Sequence, residues 1–160
     1  MPNPSIRIFP VKPEDFAQWK ILWEGYAAFY GRAGDTALPD AVTNTTWARF
    51  FDPHEPLHAF VAEINGQLCG LVHCVTHRNT FTTKDVCYLE DLFVAESARG
   101  MGAGRALVEA VCQKALADGI EKVYWQTQAS NTAARALYDK LATHSGFIVY
   151  ARHVAIQPVS

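Results

Sequence analysis

The sequence lacks the features that mark nucleic-acid-binding, membrane-spanning and secreted proteins. Its 160 residues carry 14 Lys and Arg against 16 Asp and Glu, with no run of basic residues, which argues against an electrostatic DNA or RNA binder. No apolar run approaches the ~18 residues of a membrane span. Residues Met1 to Pro4 lack the basic start and apolar stretch of a signal peptide. We therefore expect a cytoplasmic protein with no nucleic-acid partner and no membrane partner.

The sequence also has few metal-ligating side chains in a useful arrangement. Its four cysteines form no Cys-x-x-Cys pair, and three fall on predicted strands, so we expect them to be reduced and buried. His73 and His77 share a face of a predicted strand but lie about 13 Å apart, at ~3.3 Å per residue. His54 and His58 straddle the end of a proline-broken loop, and no helical His-x-x-x-His occurs. We predict no metal site.

What the sequence does contain is an ordinary globular composition, with 49% hydrophobic and 19% charged residues. The length fits one domain, residues 1–160. Apolar periodicity, proline breaks and the Asn65-Gly66 hairpin signal predict the order β, α, α, β, β, β, α, β, α, β. The last of these elements is a closing strand from Phe147 to Ile156. The pattern predicts a mixed α/β sandwich.

The most informative segment of the sequence is a predicted strand followed by a glycine-rich turn and a helix. A predicted strand from Val86 to Val94 carries two acids and is followed by a glycine-rich turn. From Arg105 onward, apolar residues recur with helical spacing. Three glycines in five residues leave the start of this helix bare of side chains, so a ligand can approach its backbone closely. They are Gly100, Gly102 and Gly104.

Such a helix start favours phosphate binding. Its first N–H groups lack internal partners and sit at the positive end of the helix dipole, and Arg99 and Arg105 add positive charge. The alternative is a flexible turn before an Ala-rich helix. A P-loop needs Gly-Lys-Ser/Thr, whereas Arg105-Ala106 follows Gly104 here, and the glycine spacing does not fit the Gly-x-Gly-x-x-Gly fingerprint of dinucleotide-binding proteins.

The Arg-x-x-Gly-x-Gly pattern of residues 99–104, after Tyr-Leu-Glu-Asp-Leu-Phe-Val at 88–94, resembles the GNAT superfamily of acetyl-CoA-dependent N-acetyltransferases. The resemblance continues through Val-Tyr-Trp-Gln-Thr at 123–127, Asn131, and Ala-Leu-Tyr-Asp-Lys at 136–140. It is greatest to the branch that holds polyamine and histone-type acetyltransferases. It implies the GNAT fold, an α/β architecture with a mixed central sheet of about six to seven strands and about four helices.

The resemblance also implies acetyl-CoA as the acetyl donor and indicates which residues bind it. The pantetheine arm would enter where the central strand splays from the next one, bonding to backbone groups of Leu92, Phe93 and Val94. Asn131 would also bond to the arm, and Tyr138 would lie beside the sulfur. The phosphates would be bound by the glycine-rich loop. That loop comprises Arg99, Gly100, Met101, Gly102, Ala103, Gly104 and Arg105.

The chemistry of amine acetylation requires a base and an acid. An alkyl amine has a pKa of ~10.4, so freeing its lone pair at pH 7 costs about 4.6 kcal/mol. Glu90 and Asp91 are adjacent on a strand, so we expect their side chains on opposite faces. The resemblance indicates Glu90 as the base, acting through water, and Tyr138 as the acid for the leaving thiolate, which suits a phenol. The alternatives are structural: both acids pairing with basic groups, and Tyr138 packing beneath an N-capping Asn131.

The first predicted helix offers candidates for the acceptor pocket. It is apolar on more than one face, which usually indicates burial on both sides. Trp23, Tyr26 and Tyr30 either wall a substrate pocket next to Glu90 or pack in the core. Residues 141–145 lengthen the loop after Tyr138 relative to related sequences, which bears on the identity of the substrate more than on the cofactor.

Three functions remain open at this point. The first is transfer of an acetyl group to the primary amine of a small molecule, such as a polyamine or an amino acid. The second is the same reaction on a protein or peptide amine, at a lysine or an N-terminus. The third is a non-catalytic acyl-CoA sensor, against which the presence of Glu90 and Tyr138 argues. The resemblance further implies a homodimer formed through the C-terminal strands.

Overall fold

The computed structural model describes residues 4–155. The chain divides into two compact units, which meet in sequence between Gln126 and Thr127. The N-terminal unit contains a five-stranded sheet and three α-helices, and the C-terminal unit contains one α-helix. The predicted α/β class and GNAT-type element order are confirmed for these elements.

The sheet has the strand order β1-β2-β3-β4-β5, with antiparallel pairing as far as β4 and parallel pairing between β4 and β5. The predicted hairpin turn is formed, because Asn65 and Gly66 both adopt positive φ, 52° and 77°, as a two-residue type I′ turn requires. The strands are β1 (Ile6–Pro10), β2 (Leu57–Ile64), β3 (Gln67–His77), β4 (Val86–Val94) and β5 (Val123–Tyr124).

Each helix begins and ends where local sequence signals indicate. A short 3-10 turn, Pro13–Asp15, precedes the first helix, and the Asp15 carboxylate accepts from the Lys12 backbone N–H at 2.9 Å. Asn131 caps the last helix by accepting from the Ala134 N–H at 3.2 Å. The helices are α1 (Phe16–Phe29), α2 (Asp40–Arg49), α3 (Ala103–Ala117) and α4 (Thr132–Leu141).

Helices cover both faces of the sheet. Leu71 of β3 belongs to the cluster around Trp19 of α1, whereas a Cβ on the neighbouring Gly70 would lie 3.1 Å from Leu107 of α3. Since successive strand residues point to opposite faces, α1 and α3 lie on opposite sides of β3. The face covered by α1 is unusually aromatic, and this aromatic layer surrounds the candidate site.

Two strand predictions were wrong. The chain from Phe147 to Ala155 forms no strand in the described residues, and Ile156 lies outside them. The strand predicted between the last two helices, expected over Lys122 to Thr127, is formed only at Val123–Tyr124. Within residues 4–155 the sheet therefore has five strands, whereas six to seven were predicted. Apolar residues at 147–150 favour a strand, but a strand exists only where a neighbouring strand accepts its backbone hydrogen bonds.

Candidate active site

A β-bulge places the two acids of β4. Leu89 pairs with Cys74 and Asp91 pairs with His73, so Glu90 is an extra residue without a partner position on β3. Our expectation that strict alternation would separate the two acids was wrong, because a bulge interrupts the alternation at Glu90. The bulge places Asp91 opposite His73, on the face of the sheet that α1 covers.

A buried chain of hydrogen bonds holds Asp91. The Trp19 indole Nε1–H donates to Nε2 of His73 at 3.0 Å, and Nδ1 of His73 lies 2.9 Å from Oδ2 of Asp91. Because Nε2 accepts a hydrogen bond, the imidazole proton is on Nδ1, which donates to Asp91. His73 is 2% exposed. The pair is therefore a neutral imidazole beside a carboxylate.

Tyr26 of α1 lies close to Asp91. Burial, followed by the charge of Asp91, raises the pKa of the Tyr26 phenol. Tyr30 packs edge-on against Tyr26, with ring centroids 5.1 Å apart, and is 49% exposed. Of the three predicted pocket residues, Tyr26 thus lies near Asp91, and Tyr30, which follows α1, contacts Tyr26.

Trp23, the third predicted pocket residue, lies deeper. It is 8% exposed and is stacked between Trp19 and Tyr26, at centroid distances of 5.8 and 5.6 Å. Its indole Nε1 is buried and has no hydrogen-bond partner within residues 4–155. Its position is that of a core residue that supports Tyr26 from behind.

Glu90 is exposed at the bulge. The pKa of its carboxyl group nevertheless differs from the ordinary value. Partial burial, then the neighbouring charge of Asp91, raises the pKa of Glu90, while His73 acts in the opposite direction. A carboxyl group with a raised pKa is a stronger base once deprotonated. The strand thus carries two carboxyls with different environments, one open and one enclosed by hydrogen-bond donors.

The sequence analysis missed a contact network that leads from Tyr88, near Glu90, to two further side chains. Tyr88 stacks on Tyr124 with centroids 5.0 Å apart, and the Tyr124 hydroxyl lies 2.6 Å from Nε2 of His77. Burial and the charge of Glu90 raise the pKa of Tyr88. The only sequence signal was tyrosine in both strands. Their contact depends on the parallel register that aligns Tyr88 with Tyr124, which sequence cannot specify.

The glycine-rich loop has the conformation of an anion-binding helix start. Gly100 and Gly102 have φ of 78° and 90°, a region that other residues rarely adopt. A Cβ at either position would meet no atom within 4 Å, so the space above the loop is open. Gly102 is the N-cap of α3, and no side chain caps that helix. The free N–H groups of its first turn therefore fit a phosphate.

The two arginines of the loop differ in their contacts. Nε of Arg99 donates to the carbonyl of Val94 at 3.1 Å, and its guanidinium lies 5.9 Å from the centre of the Phe93 ring. Arg105 is exposed on the first turn of α3. Arg99 thus fastens the loop to the end of β4, and Arg105 contributes charge near the helix start.

Strand β5 pairs with only a short part of the outer edge of β4. The two strands pair only at Cys87 and Tyr88, whereas the inner edge of β4 pairs with β3 as far as Val94. Backbone groups of β4 beyond Tyr88 therefore lie outside that parallel ladder. Leu92, Phe93 and Val94 are half-buried and belong to this stretch.

The two remaining predicted residues belong to the C-terminal unit. Asn131 is the N-cap of α4, and Tyr138 lies within the helix. Arg135 donates to the Ala129 carbonyl at 2.9 Å and ties the helix to the preceding turn. The structural role predicted for Asn131 is thus observed, and it leaves the amide nitrogen of this side chain as a further donor.

Neither a metal site nor a membrane span is found in the part of the chain that the structure describes. No three His, Cys, Asp or Glu side chains of residues 4–155 are grouped so as to hold an ion. The nitrogen atoms of His73 and His77 are engaged with other protein groups. No described helix is long and apolar enough to cross a bilayer.

Comparison with known proteins identifies the family. Residues 18–142 match the acetyltransferase (GNAT) family model. The D-amino-acid N-acetyltransferase HPA3 of Saccharomyces cerevisiae is 36% identical over 156 residues, which is 96% of this chain and 94% of that protein. The chain belongs to the GNAT acetyltransferase family. It is an N-acetyltransferase, and GNAT enzymes use acetyl-CoA as their acetyl donor.

Other GNAT proteins extend the comparison. The uncharacterized N-acetyltransferase YhfO of Bacillus subtilis is 29% identical over 93% of this chain and 98% of its own length. Among solved structures, AAC(6')-Iy in complex with the bisubstrate analogue CoA-S-monomethyl-acetylneamine aligns with a TM-score of 0.80. That alignment covers 94% of this chain and 99% of the other at 18% identity, and it establishes the shared fold.

Proposed function

We propose that this GNAT enzyme transfers the acetyl group of acetyl-CoA to the primary amine of a small molecule. The observation that carries the proposal is the acidic bulge of β4, where Glu90 and Asp91 are adjacent and Tyr26 of α1 lies near Asp91. A site that combines carboxylates with aromatic rings suits a compact cationic acceptor. The similarity to a D-amino-acid N-acetyltransferase supports an acceptor of this size.

The acetyl-CoA contacts follow from the loop and the strand edge. The N–H groups of Ala103, Gly104 and Arg105 bind phosphate oxygens at the start of α3, with added charge from the two loop arginines. Gly100, Met101 and Gly102 form the turn that precedes the start of α3. The part of β4 beyond its pairing with β5, at Leu92, Phe93 and Val94, supplies backbone groups for the pantetheine arm. The Asn131 side chain supplies a further contact.

Two side chains carry the proton transfers. Glu90 accepts a proton from the acceptor ammonium through water, and its raised pKa suits it to that role. When the neutral amine attacks the thioester carbonyl, the C–N bond forms and the C–S bond breaks. Tyr138 donates its proton to the leaving thiolate and is reprotonated by the proton that the new amide nitrogen loses. The charge developing on the carbonyl oxygen is stabilised by a backbone N–H of β4.

A protein acceptor is the second candidate. A lysine side chain or a protein N-terminus would need an open groove that admits an extended chain. Trp23 is buried behind Tyr26, so the α1 side of the site is filled by aromatic side chains, which favours a small acceptor. A non-catalytic acyl-CoA sensor is the third candidate, and it gives no reason for a carboxyl at Glu90 whose pKa is raised by partial burial and by Asp91.

We also propose that residues 1–160 act as one catalytic domain in the cytoplasm and that the enzyme is a homodimer. The family match from 18 to 142 includes parts of both units, which supports a single functional domain. Self-association is supported by four exposed apolar residues in succession in the C-terminal unit, since such patches mark interaction surfaces. They are Phe147, Ile148, Val149 and Tyr150, each at least 69% exposed.

The experiment is a measurement of coenzyme A release from acetyl-CoA with polyamines, D- and L-amino acids and lysine peptides as acceptors. We expect turnover on a small amine, and a loss of about 10² to 10⁴ in kcat for Tyr138→Phe. Tyr150→Phe, which removes an exposed hydroxyl in the same unit, should keep full activity. Turnover on peptides alone would favour the second candidate, and acetyl-CoA binding without any turnover would favour the sensor.

A further inference from the structure

We propose that Asp91 binds the ammonium group of the acceptor, and that Trp19, His73 and Tyr26 hold its carboxylate in place for that purpose. The inference deepens the proposed function and rests on it in taking the acceptor to be an amine. It gives the two acids of the bulge separate tasks: Asp91 binds the cation, and Glu90 accepts the proton.

The first step is the charge of the pair. His73 accepts from the Trp19 indole through Nε2, and this contact holds only while Nε2 carries no proton. A second proton on the ring would place an N–H against an N–H inside a buried layer. The Trp19 contact therefore keeps His73 neutral, and the negative charge of Asp91 is not cancelled by its nearest neighbour.

The second step is the hydrogen-bonding capacity of Asp91. Its carboxylate offers about four acceptor positions. Nδ1–H of His73 donates to one of them at 2.9 Å, and the Tyr26 phenol lies near enough for the charge of Asp91 to raise its pKa. Asp91 forms no salt bridge with Lys or Arg among residues 4–155, and His73 is the only basic residue within salt-bridge distance of it. A largely enclosed carboxylate without a cationic partner is costly unless a cation binds.

The third step is access. The side chain of Asp91 is 14% exposed, which is enough for one small group to reach it, and the half-exposed Tyr30 stands beside Tyr26 at the same place. An alkylammonium there would meet a carboxylate and aromatic rings together, the combination that binds organic cations in proteins.

The division of tasks follows from the chemistry. A bound carboxylate stabilises the ammonium form and so does not itself promote attack by the neutral amine. Its contribution is to binding, which appears in KM more than in kcat. The proton then passes to Glu90, the acid with the open position and the raised pKa. The amine is then neutral, and its lone pair can attack the thioester carbonyl.

The test is calorimetric binding of matched cationic and neutral probes, with and without coenzyme A. The pairs are phenethylamine with 2-phenylethanol, and D-alaninamide with D-lactamide. We expect the wild-type protein to bind at least one ammonium compound about tenfold or more tightly than its alcohol. Asp91→Asn should remove that preference, and Asp91→Glu should retain part of it because it keeps the charge.

The controls separate charge from folding. Asp85→Asn removes a carboxylate from the residue just before β4, where it pairs with Arg78 at 3.0 Å, and should leave the preference unchanged. Asp91→Asn keeps an oxygen that accepts from His73, so it should fold and bind coenzyme A as the wild type does.

Equal wild-type affinity for ammonium compounds and alcohols, no binding of any ammonium probe, or an unchanged preference in Asp91→Asn would each overturn the inference. Because these are binding measurements, they are distinct from a failure of the proposed function. An amine that binds through Asp91 and is not acetylated would contradict the proposed catalysis and leave the binding assignment intact.

Discussion

At the scale of single residues, the acidity of Glu90 gives a direct test of its role as base. Deprotonated Glu90 is the active form, so kcat/KM should fall as pH decreases through its pKa. Burial and Asp91 raise that pKa above the ordinary value of 4.5, with His73 opposing them. The acidic limb of the pH profile should therefore lie above pH 4.5, and it should move to lower pH in Asp91→Asn because a negative neighbour is lost.

Removal of the carboxylate is the complementary test. Glu90→Gln should lower kcat by about 10² to 10⁴ and leave acetyl-CoA affinity unchanged, since the residue is assigned to proton transfer and not to cofactor binding. Glu109→Gln changes an exposed glutamate on α3 and should behave as the wild type. Full activity of Glu90→Gln at neutral pH would transfer the role of base to another group or to water.

At the scale of the elements, two tryptophans one turn apart on α1 provide a matched pair. Trp19→Phe removes the donor of His73 and leaves a buried ring nitrogen without a partner, whereas Trp23→Phe removes an indole N–H that has none in the described chain. Both substitutions remove a comparable amount of buried aromatic side chain. We expect Trp19→Phe to lower the free energy of unfolding by about 1–3 kcal/mol more than Trp23→Phe.

Urea denaturation of the two variants checks this difference. Equal losses in the free energy of unfolding would show that the bond from Trp19 to His73 contributes nothing to stability. Binding of the ammonium and alcohol probes to Trp19→Phe offers a second measurement. We expect a smaller preference for the ammonium compound, because His73 loses the donor that orients its ring toward Asp91.

The start of α3 can be tested through its N-cap. Gly102→Ala places a Cβ at a φ of 90°, which costs about 1–2 kcal/mol of stability. The reoriented loop should also bind acetyl-CoA at least about tenfold more weakly, because the N–H groups of the first turn no longer converge. The measurements are thermal unfolding and equilibrium acetyl-CoA binding.

Gly66→Ala is the matched control for Gly102→Ala. Gly66 has a φ of 77° and an equally open surrounding, but it lies in the turn between β2 and β3, away from the loop. The Gly66→Ala variant should therefore lose a similar amount of folding stability and keep the wild-type affinity for acetyl-CoA. If both variants kept that affinity, the glycine-rich loop would not be the phosphate site.

At the scale of the whole molecule, the exposed apolar segment at 147–150 tests the proposed homodimer. Replacing both Ile148 and Tyr150 with lysine should raise the dimer dissociation constant about tenfold or more, because apolar area would no longer be removed from water. Light scattering after gel filtration measures the mass. Phe81→Lys changes a loop side chain that is 96% exposed and should leave the dimer intact, whereas a monomeric wild type would contradict the proposal.

The sequence by itself determined most of the elements and the family. The hairpin turn at Asn65 and Gly66 and the strand from Val86 to Val94 agree with prediction, because an Asn-Gly pair and a run of strand-forming residues are local signals. The glycine-rich loop was likewise predictable, since positive φ and an uncapped helix start are local properties of Gly100 and Gly102.

Only the tertiary structure decided how the acids are used. The bulge at Glu90 arises from the register between β3 and β4, and the contact of Tyr88 with Tyr124 arises from a parallel pairing. His73 is 54 residues from Trp19 and 18 from Asp91 in sequence. These pairings depend on long-range packing, which local patterns do not encode. For the same reason the apolar run from Phe147 favoured a strand that the described chain does not form.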